Sequence, residues 1–153
     1  MDAITLLKDD HDTVSKLFKQ YEDLGDRATK SKAQLVEKIT KELSTHAYIE
    51  ETIFYPFARE RVPDVDDSVQ EGIEEHHLMK VTMRELAELD PDGDDYDAKV
   101  TVLKEVVEHH VEEEEDDWFP KVRDALGRND LAEVGDRMEA AKSDAPDRPE
   151  PDE

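Results

Sequence analysis

Two stretches of the chain repeat a histidine followed four residues later by a glutamate: His46 and Glu50 in HAYIEETIFYP, and His110 and Glu114 in HVEEEEDDWFP. At about 3.6 residues per turn this spacing stacks an imidazole and a carboxylate on one helix face, and such a pair can bind a metal ion. Aligned, the stretches also match Glu51 to Glu115, Phe54 to Trp118 and Pro56 to Pro120. Upstream of each copy a further histidine follows two acids, His11 in KDDHDTVSKLFKQYEDL and His76 in IEEHHLMKVTMRELAEL. His11, Val14, Phe18, Tyr21 and Leu24 fall on His76, Met79, Met83, Leu86 and Leu89 at a constant offset of 65, against 64 for the His/Glu pairs. The chain reads as one helical hairpin used twice, each hairpin supplying a histidine from its first helix and a His/Glu pair from its second.

A single histidine on an apolar stripe is more often a hydrogen-bonded core residue than a ligand. Four imidazoles and two carboxylates on inward stripes that carry no Lys or Arg are another matter, because burying them without cations costs many kcal/mol. Two metal ions are the economical answer. Within the doublets His76/His77 and His109/His110, periodicity selects His76 and His110 and leaves their neighbours at the rim. The run Glu112 to Glu115 reads as a solvated face except for Glu114, with Glu115 the rival ligand. The pairs Phe54/Tyr55 and Trp118/Phe119 read as core at the end of the bundle. Nitrogen and oxygen donors without sulfur suit iron or manganese, with zinc a possible substitute. If both glutamates bridge the two ions, each ion keeps two histidines and open positions; with iron these take dioxygen, peroxide, nitric oxide or a solvent-derived oxo or hydroxo bridge.

These residues must be positioned by long helices. Ile4, Leu7, His11, Val14, Phe18 and Tyr21 form one side of a first helix over about Ala3 to Leu24 that stops at Gly25. Ser31 with Gln34 predicts a capping-box start for the second, whose stripe is Leu35, Ile39, Leu43, His46, Glu50, Ile53 and Phe57. Pro56 should bend or shorten that helix. A third helix is expected from Asp66 or Asp67 to near Asp90, and a fourth from near Tyr96 that carries Val100, Leu103, Val107, His110 and Glu114 inward. The expected organisation is an all-α, up-and-down antiparallel four-helix bundle over residues 1–126, a short helix packing on it within 127–142, and a disordered acidic tail over 143–153.

Composition bounds the function classes. At 153 residues the chain suits one core rather than two domains. Cysteine is absent, which excludes thiolate ligands, disulfides and thiol catalysis. The N-terminal MDAITLLKDDHD is too short and too charged for a signal peptide, and no apolar run approaches about 18 residues, so a soluble, cytoplasmic protein is expected. With 43 acidic against 20 basic residues, a formal charge of −23 should repel nucleic acid and anionic membranes. The oligomeric state is open.

The pattern of His11, the H-x-x-x-E of His46 and Glu50, the E-H of Glu75 and His76, and the H-x-x-x-E-E ending in F-P resembles the hemerythrin-like family in its bacterial and archaeal HHE cation-binding branch. The resemblance covers about residues 3 to 126. It implies a four-helix bundle around a non-heme di-iron centre, with His11, His46, Glu50, His76, His110 and Glu114 on the ligand positions. Oxygen-carrying hemerythrins have a further histidine four residues after that of the third helix, where this chain has Lys80 (and Val81 four after His77). That departure puts reversible oxygen carriage in doubt; His77, His109 or Glu115 are the possible substitutes. Two function classes follow: a protein that binds or senses dioxygen, nitric oxide, peroxide or iron, or a di-iron enzyme with peroxidase- or catalase-like activity. No acid or base outside the ligand set is identifiable for the latter.

The acidic coat is open to two readings, simple solubility or life in high salt, where screening relieves self-repulsion. On the second, helicity measured by circular dichroism rises between very low and molar salt; an unchanged spectrum removes it.

Overall fold

In the computed structural model, which describes residues 1–149, helices make up five rods, and no strand occurs among the described residues. Helix α1 spans Ala3–Glu22 and α2 spans Thr29–Ile49. The latter runs without a break through a π turn, Glu50–Phe54, into α3, Tyr55–Arg61. After α4, Asp66–Glu88, the same design recurs: α5, Asp94–Glu113, passes through a π turn, Glu114–Trp118, into α6, Phe119–Ala125. The fifth rod is α7, Arg128–Ala141, followed by a 3₁₀ turn, Lys142–Asp144. Short connections make the first four rods an up-and-down bundle, as expected. No helix among the described residues is long and apolar enough to cross a membrane.

The prolines do not shorten their helices. Pro56 and Pro120 lack an N–H, and in an α-helix each ring would press on the carbonyl four residues back. The chain widens instead. The N–H of Tyr55 reaches the carbonyl of Glu50, and that of Phe119 reaches Glu114, five residues back in both copies. The helix therefore continues past the proline, and the widening falls on the glutamates singled out by spacing.

One other boundary differs from expectation. The Ser31/Gln34 capping box does not form: α2 starts at Thr29, with Ala28 as its cap and no side-chain cap bond. A tight turn at Gly25, closed by Ala28 N–H to the Gly25 carbonyl at 3.1 Å, lets the helix begin early, and this register carries buried Lys32 to Asp97 at 3.1 Å. Helix α5 begins two residues before Tyr96, behind Gly93, which puts Asp94, Asp95 and Asp97 in its first turn, where the helix dipole favours negative charge. Of the expected tail, Ser143 and Asp144 complete a 3₁₀ turn that begins at Lys142, which donates to Asp10 at 2.7 Å; residues 150–153 lie outside the described residues.

The core is two apolar clusters with a polar layer between them. One contains Ile4, Leu7, Phe54, Tyr55, Trp118 and Phe119 together with Leu131, Val134 and Met138 of α7. The other contains Val14, Phe18, Ile39, Leu43, Met79, Met83, Leu103 and Val107. The helix boundary at Asp2 is secured by its carboxylate, which accepts from Thr5 N–H at 2.8 Å. Helix α7 crosses over this start of α1, and Gly135 is the contact point: a Cβ there would lie 2.1 Å from the Met1 carbonyl oxygen and 2.7 Å from Ala3 N.

On propensity alone, Gly135→Ala should gain about 1 kcal/mol. Backbone cannot yield as a flexible side chain can, so the expected outcome is the reverse, a loss of about 1–3 kcal/mol as α7 is levered off α1. A thermal melt with an unchanged or raised midpoint would refute this packing account.

Candidate metal centre

Six side chains from four rods meet in the polar layer: His11, His46, Glu50, His76, His110 and Glu114, each at most 7% exposed and both glutamates at 0%. Their inward atoms form two groups that could each hold an ion, His11 with His46 and Glu114, and His76 with His110 and Glu50; within each group the atoms lie within 4.8 Å of one another. Each histidine pair comes from one hairpin, as the duplicated spacing predicts. The glutamates cross over. Glu114 Oε1 lies 3.1 Å from His11 Nε2, and Glu50 Oε1 lies 3.0 Å from His76 Nε2 while also 3.1 Å from His46 Nε2. Each carboxylate therefore faces histidines of both halves, Glu114 Oε1 lying also 3.4 Å from His110 Nε2.

Outside this ring lies a second one that spacing did not identify. Each of the four imidazoles in the layer turns Nε2 inward and ties Nδ1 to a carboxylate: His11 to Glu115 at 2.6 Å, His46 to Asp10 at 3.0 Å, His76 to Glu51 at 2.7 Å, and His110 to Glu75 at 2.6 Å. The ring is closed, since each rod supplies a carboxylate to the histidine of the next and the last returns to the first. A carboxylate accepting from Nδ1–H fixes the tautomer that leaves Nε2 as a lone-pair donor and orients the ring, the arrangement found behind metal-bound histidines. The signal was present in the sequence as the acid before His11 and before His76, and as the second glutamate after Glu50 and after Glu114. Glu115 thus belongs to the outer ring, not to the inner six. Lys142 and Lys80 neutralise the outer ring alone: Lys142 donates to Asp10, and Lys80 bonds both oxygens of Glu51 at 3.0 and 2.9 Å.

His77 and His109 are exposed and stand outside both groups. His109 instead joins Glu71, Glu75 and Glu113 in a surface cluster.

Tyr55 is the other residue missed. Its hydroxyl lies 3.3 Å from Glu50 Oε1, 3.3 Å from His76 Nε2, 3.2 Å from His110 Nε2 and 3.3 Å from Glu114 Oε2. At about 100° per residue a plain α-helix would turn Tyr55 away from Glu50, which is why periodicity assigned it to the apolar core. A π turn brings the residue five positions on back to the same face.

The electrostatics of the layer call for positive charge. Burial works against a charged His46, but Glu50 and Asp10 override it and hold the imidazole up to about 10. Burial likewise opposes the charge on His110, and Glu114, Glu50 and Glu75 hold it well above the usual histidine range. For Glu50 burial is outweighed by His46 and by hydrogen bonds from Glu114 and His110, and its carboxyl is held well below the usual range. Glu114 moves the other way, raised by burial and by the charge of Glu50. Burial and the same two carboxylates push the Tyr55 phenol well up. Even so the layer is not satisfied by protons alone. His46 Nε2 is 3.1 Å from Glu50 Oε1 without hydrogen-bond geometry, and it and Glu50 Oε2 are buried polar atoms with no hydrogen-bond partner. Cations between the inner atoms would meet both needs, and the sulfur-free N/O donor set fits ions such as iron, manganese or zinc.

Comparison with known families matches residues 2–122 to the hemerythrin HHE cation binding domain, and the chain belongs to this family. The bundle is similar to the crystal structure of a hemerythrin HHE cation binding domain-containing protein from Mycobacterium kansasii, with a TM-score of 0.80, 21% identity, and coverage of 94% of this chain and 86% of that one. The chain is also 27% identical over 143 residues to a DNA nickase of Nostoc sp., covering 94% of this chain and 40% of that protein's length.

Glu115→Gln separates the outer ring from the inner one. Removing the charge that orients His11 should weaken metal affinity about 10–100-fold while the number of ions bound at saturation is unchanged. Competition against a chromophoric chelator measures both, and a loss of one ion per chain would make Glu115 a ligand.

Proposed function

We propose that the chain is a non-heme di-iron protein that binds or senses a small diatomic ligand, dioxygen or nitric oxide. His11, His46, Glu50, His76, His110 and Glu114 hold the two ions. The observation that carries this reading is the committed geometry of the imidazoles: with each Nδ1–H donated to an outer carboxylate, all four Nε2 atoms converge on two buried glutamates. Membership of a cation-binding family supports the same conclusion.

In this reading the iron ions supply redox activity and coordination positions open to a small ligand. The chain's own residues do the rest. Glu50 and Glu114 carry the negative charge that retains the ions, and Asp10, Glu51, Glu75 and Glu115 hold the imidazole planes. Beside His11, His46, His76 and His110 lies a cavity of about 20 Å³ whose other walls are Asp10, its two oxygens held by His46 and Lys142, and the apolar Val14, Leu43, Ala47, Met79, Val107 and Val111. A buried water needs roughly two to four polar partners, which the aliphatic side of this cavity does not offer and which on the polar side are bound to one another. The space suits an uncharged diatomic molecule better than hydrogen peroxide, which carries donors and acceptors at both ends. The nickase activity named for the Nostoc relative is not carried over, because a charge of −23 repels a phosphate backbone.

Anaerobic iron loading should give two irons per chain, one for each buried group, and the loaded protein should change its absorption on adding nitric oxide or dioxygen without consuming either. Rapid turnover of peroxide would move the protein to the enzyme class instead. His46→Ala and Glu114→Ala are each expected to lower iron content and melting temperature together, because binding to the folded state alone is linked to its stability. Full iron stoichiometry in both variants would defeat the ligand assignment.

A further inference from the structure

The carboxylate of Glu75 faces two ways. Its Oε1 accepts from His110 Nδ1 at 2.6 Å, as part of the outer ring. Its Oε2 looks outward, 3.5 Å from His109 Nε2, which itself lies 2.8 Å from Glu113 Oε1. Glu71 completes the group, and one oxygen or nitrogen from each of the four residues lies within 4.8 Å of the others. The grouping has a simple origin. Glu71 and Glu75 are four residues apart on α4, His109 and Glu113 are four apart on α5, and each pair stacks on one face of its helix where the two rods pack side by side. Three carboxylates are thereby set against one imidazole, which carries at most a single positive charge.

The duplication shows how the equivalent flank of the first copy meets the same charge. At the offsets of 65 and 64, Glu75 corresponds to Asp10, Glu71 to Leu6, His109 to Thr45 and Glu113 to Ile49. Asp10 does for His46 what Glu75 does for His110, and its other oxygen receives the ammonium of Lys142 at 2.7 Å. Leu6 and Ile49 are buried in the apolar cluster that includes Leu131, Val134 and Met138 of α7, the rod whose C-terminal turn delivers that lysine. The first copy thus closes its flank with a covalently attached cation and an apolar lid. The second copy leaves the flank in solvent, with the His109 side chain 62% exposed, and puts donor atoms where the first has leucine and isoleucine. Surface acids by themselves are common on a chain of charge −23; the nitrogen donor and the correspondence to an occupied cation position set these four apart.

We propose that Glu71, Glu75, His109 and Glu113 form a further cation site, on the surface, which takes a divalent transition-metal ion in the place that Lys142 fills on the flank of the first copy. An imidazole nitrogen with carboxylate oxygens suits zinc, cobalt or ferrous iron better than calcium or magnesium, which favour oxygen alone. Because solvent reaches it, this ion exchanges with free metal and leaves when the excess is removed, so it does not count among ions retained by the buried layer. It nevertheless touches that layer through one residue. A cation on Glu75 Oε2 draws negative charge from the carboxylate that holds His110 Nδ1–H, as Lys142 does at Asp10 for His46.

Equilibrium dialysis of the full chain against cobalt(II) in molar sodium chloride counts this ion, because salt at that strength screens the diffuse attraction of an acidic surface and leaves direct ligation. The unaltered chain is expected to hold one ion more than His109→Ala and one more than Glu113→Ala. Both side chains reach solvent, so the variants should keep the helical circular dichroism of the unaltered chain. The difference is the readout, which makes the result independent of the di-iron reading: a buried layer that took up no cobalt would leave one ion against none. Equal numbers in the unaltered chain and either variant would overturn the proposal. Loss of more than one ion in the two variants would overturn it as well, since His109 and Glu113 would then serve the buried layer.

Discussion

Two carboxylates cut off from water, Glu50 and Glu114, set the terms for the rest of this bundle. Removing a carboxylate from water costs several kcal/mol even after the protein relaxes around it, unless positive charge is brought alongside. Lysine does not supply that charge here. Lys32 is buried at the far end against Asp97, while Lys80 and Lys142 stop at the outer carboxylates. Without an ion the charge falls to protons on the imidazoles. For His46, raised to about 10 in the fold, this contribution to stability is fully present below the ordinary histidine value and is lost as pH rises through about 10. A metal cation would do the same with more charge, and His46 Nε2 and Glu50 Oε2, buried without hydrogen-bond partners, are among the atoms that would hold it.

The prolines are tied to the same constraint. A helix that ended at Pro56 would place Tyr55 at a frayed terminus, and one that stayed α-helical would turn it toward solvent or a neighbouring helix. The π turn answers the missing N–H and the ring clash, and its side effect is chemical: it aligns the glutamate at its start with the aromatic residue five positions later. Both copies of the repeat do this, Glu50 with Tyr55 and Glu114 with Phe119. A backbone irregularity demanded by proline thereby roofs the polar layer with two aromatic rings, and the apolar cluster containing Ile4, Leu7 and α7 packs on top of them.

What could be read from the chain beforehand follows the same division. The i to i+4 histidine and glutamate spacing and the offset of 65 identified the inner six residues, the helical class and the doubled hairpin, because these depend on regular helix geometry. The π turns were not legible, since proline signals strain without saying how it will be relieved, and Tyr55 was lost with them. Asp10, Glu51, Glu75 and Glu115 were visible as acids beside histidines, yet their partners lie on other rods, between 25 and 104 residues away in sequence. Periodicity orders residues along one helix; it does not say which neighbour a side chain on its edge will meet.

The repeat also shows how an exact two-fold is avoided without disturbing the packing. At the offset that relates the first helices, Gly72 corresponds to Leu7, and at that of the second helices Trp118 corresponds to Phe54 and Phe119 to Tyr55. All six lie in or against one apolar cluster. Leucine with two phenylalanines on one side is set against glycine with tryptophan and tyrosine on the other, so volume lost at Gly72 is recovered in the indole and the hydroxyl. Packing density near that of a crystal leaves little room for uncompensated changes of this size. The exchange therefore brings one polar atom, the Tyr55 hydroxyl, into the polar layer on one side only, so that the two halves of a duplicated layer differ in their chemistry.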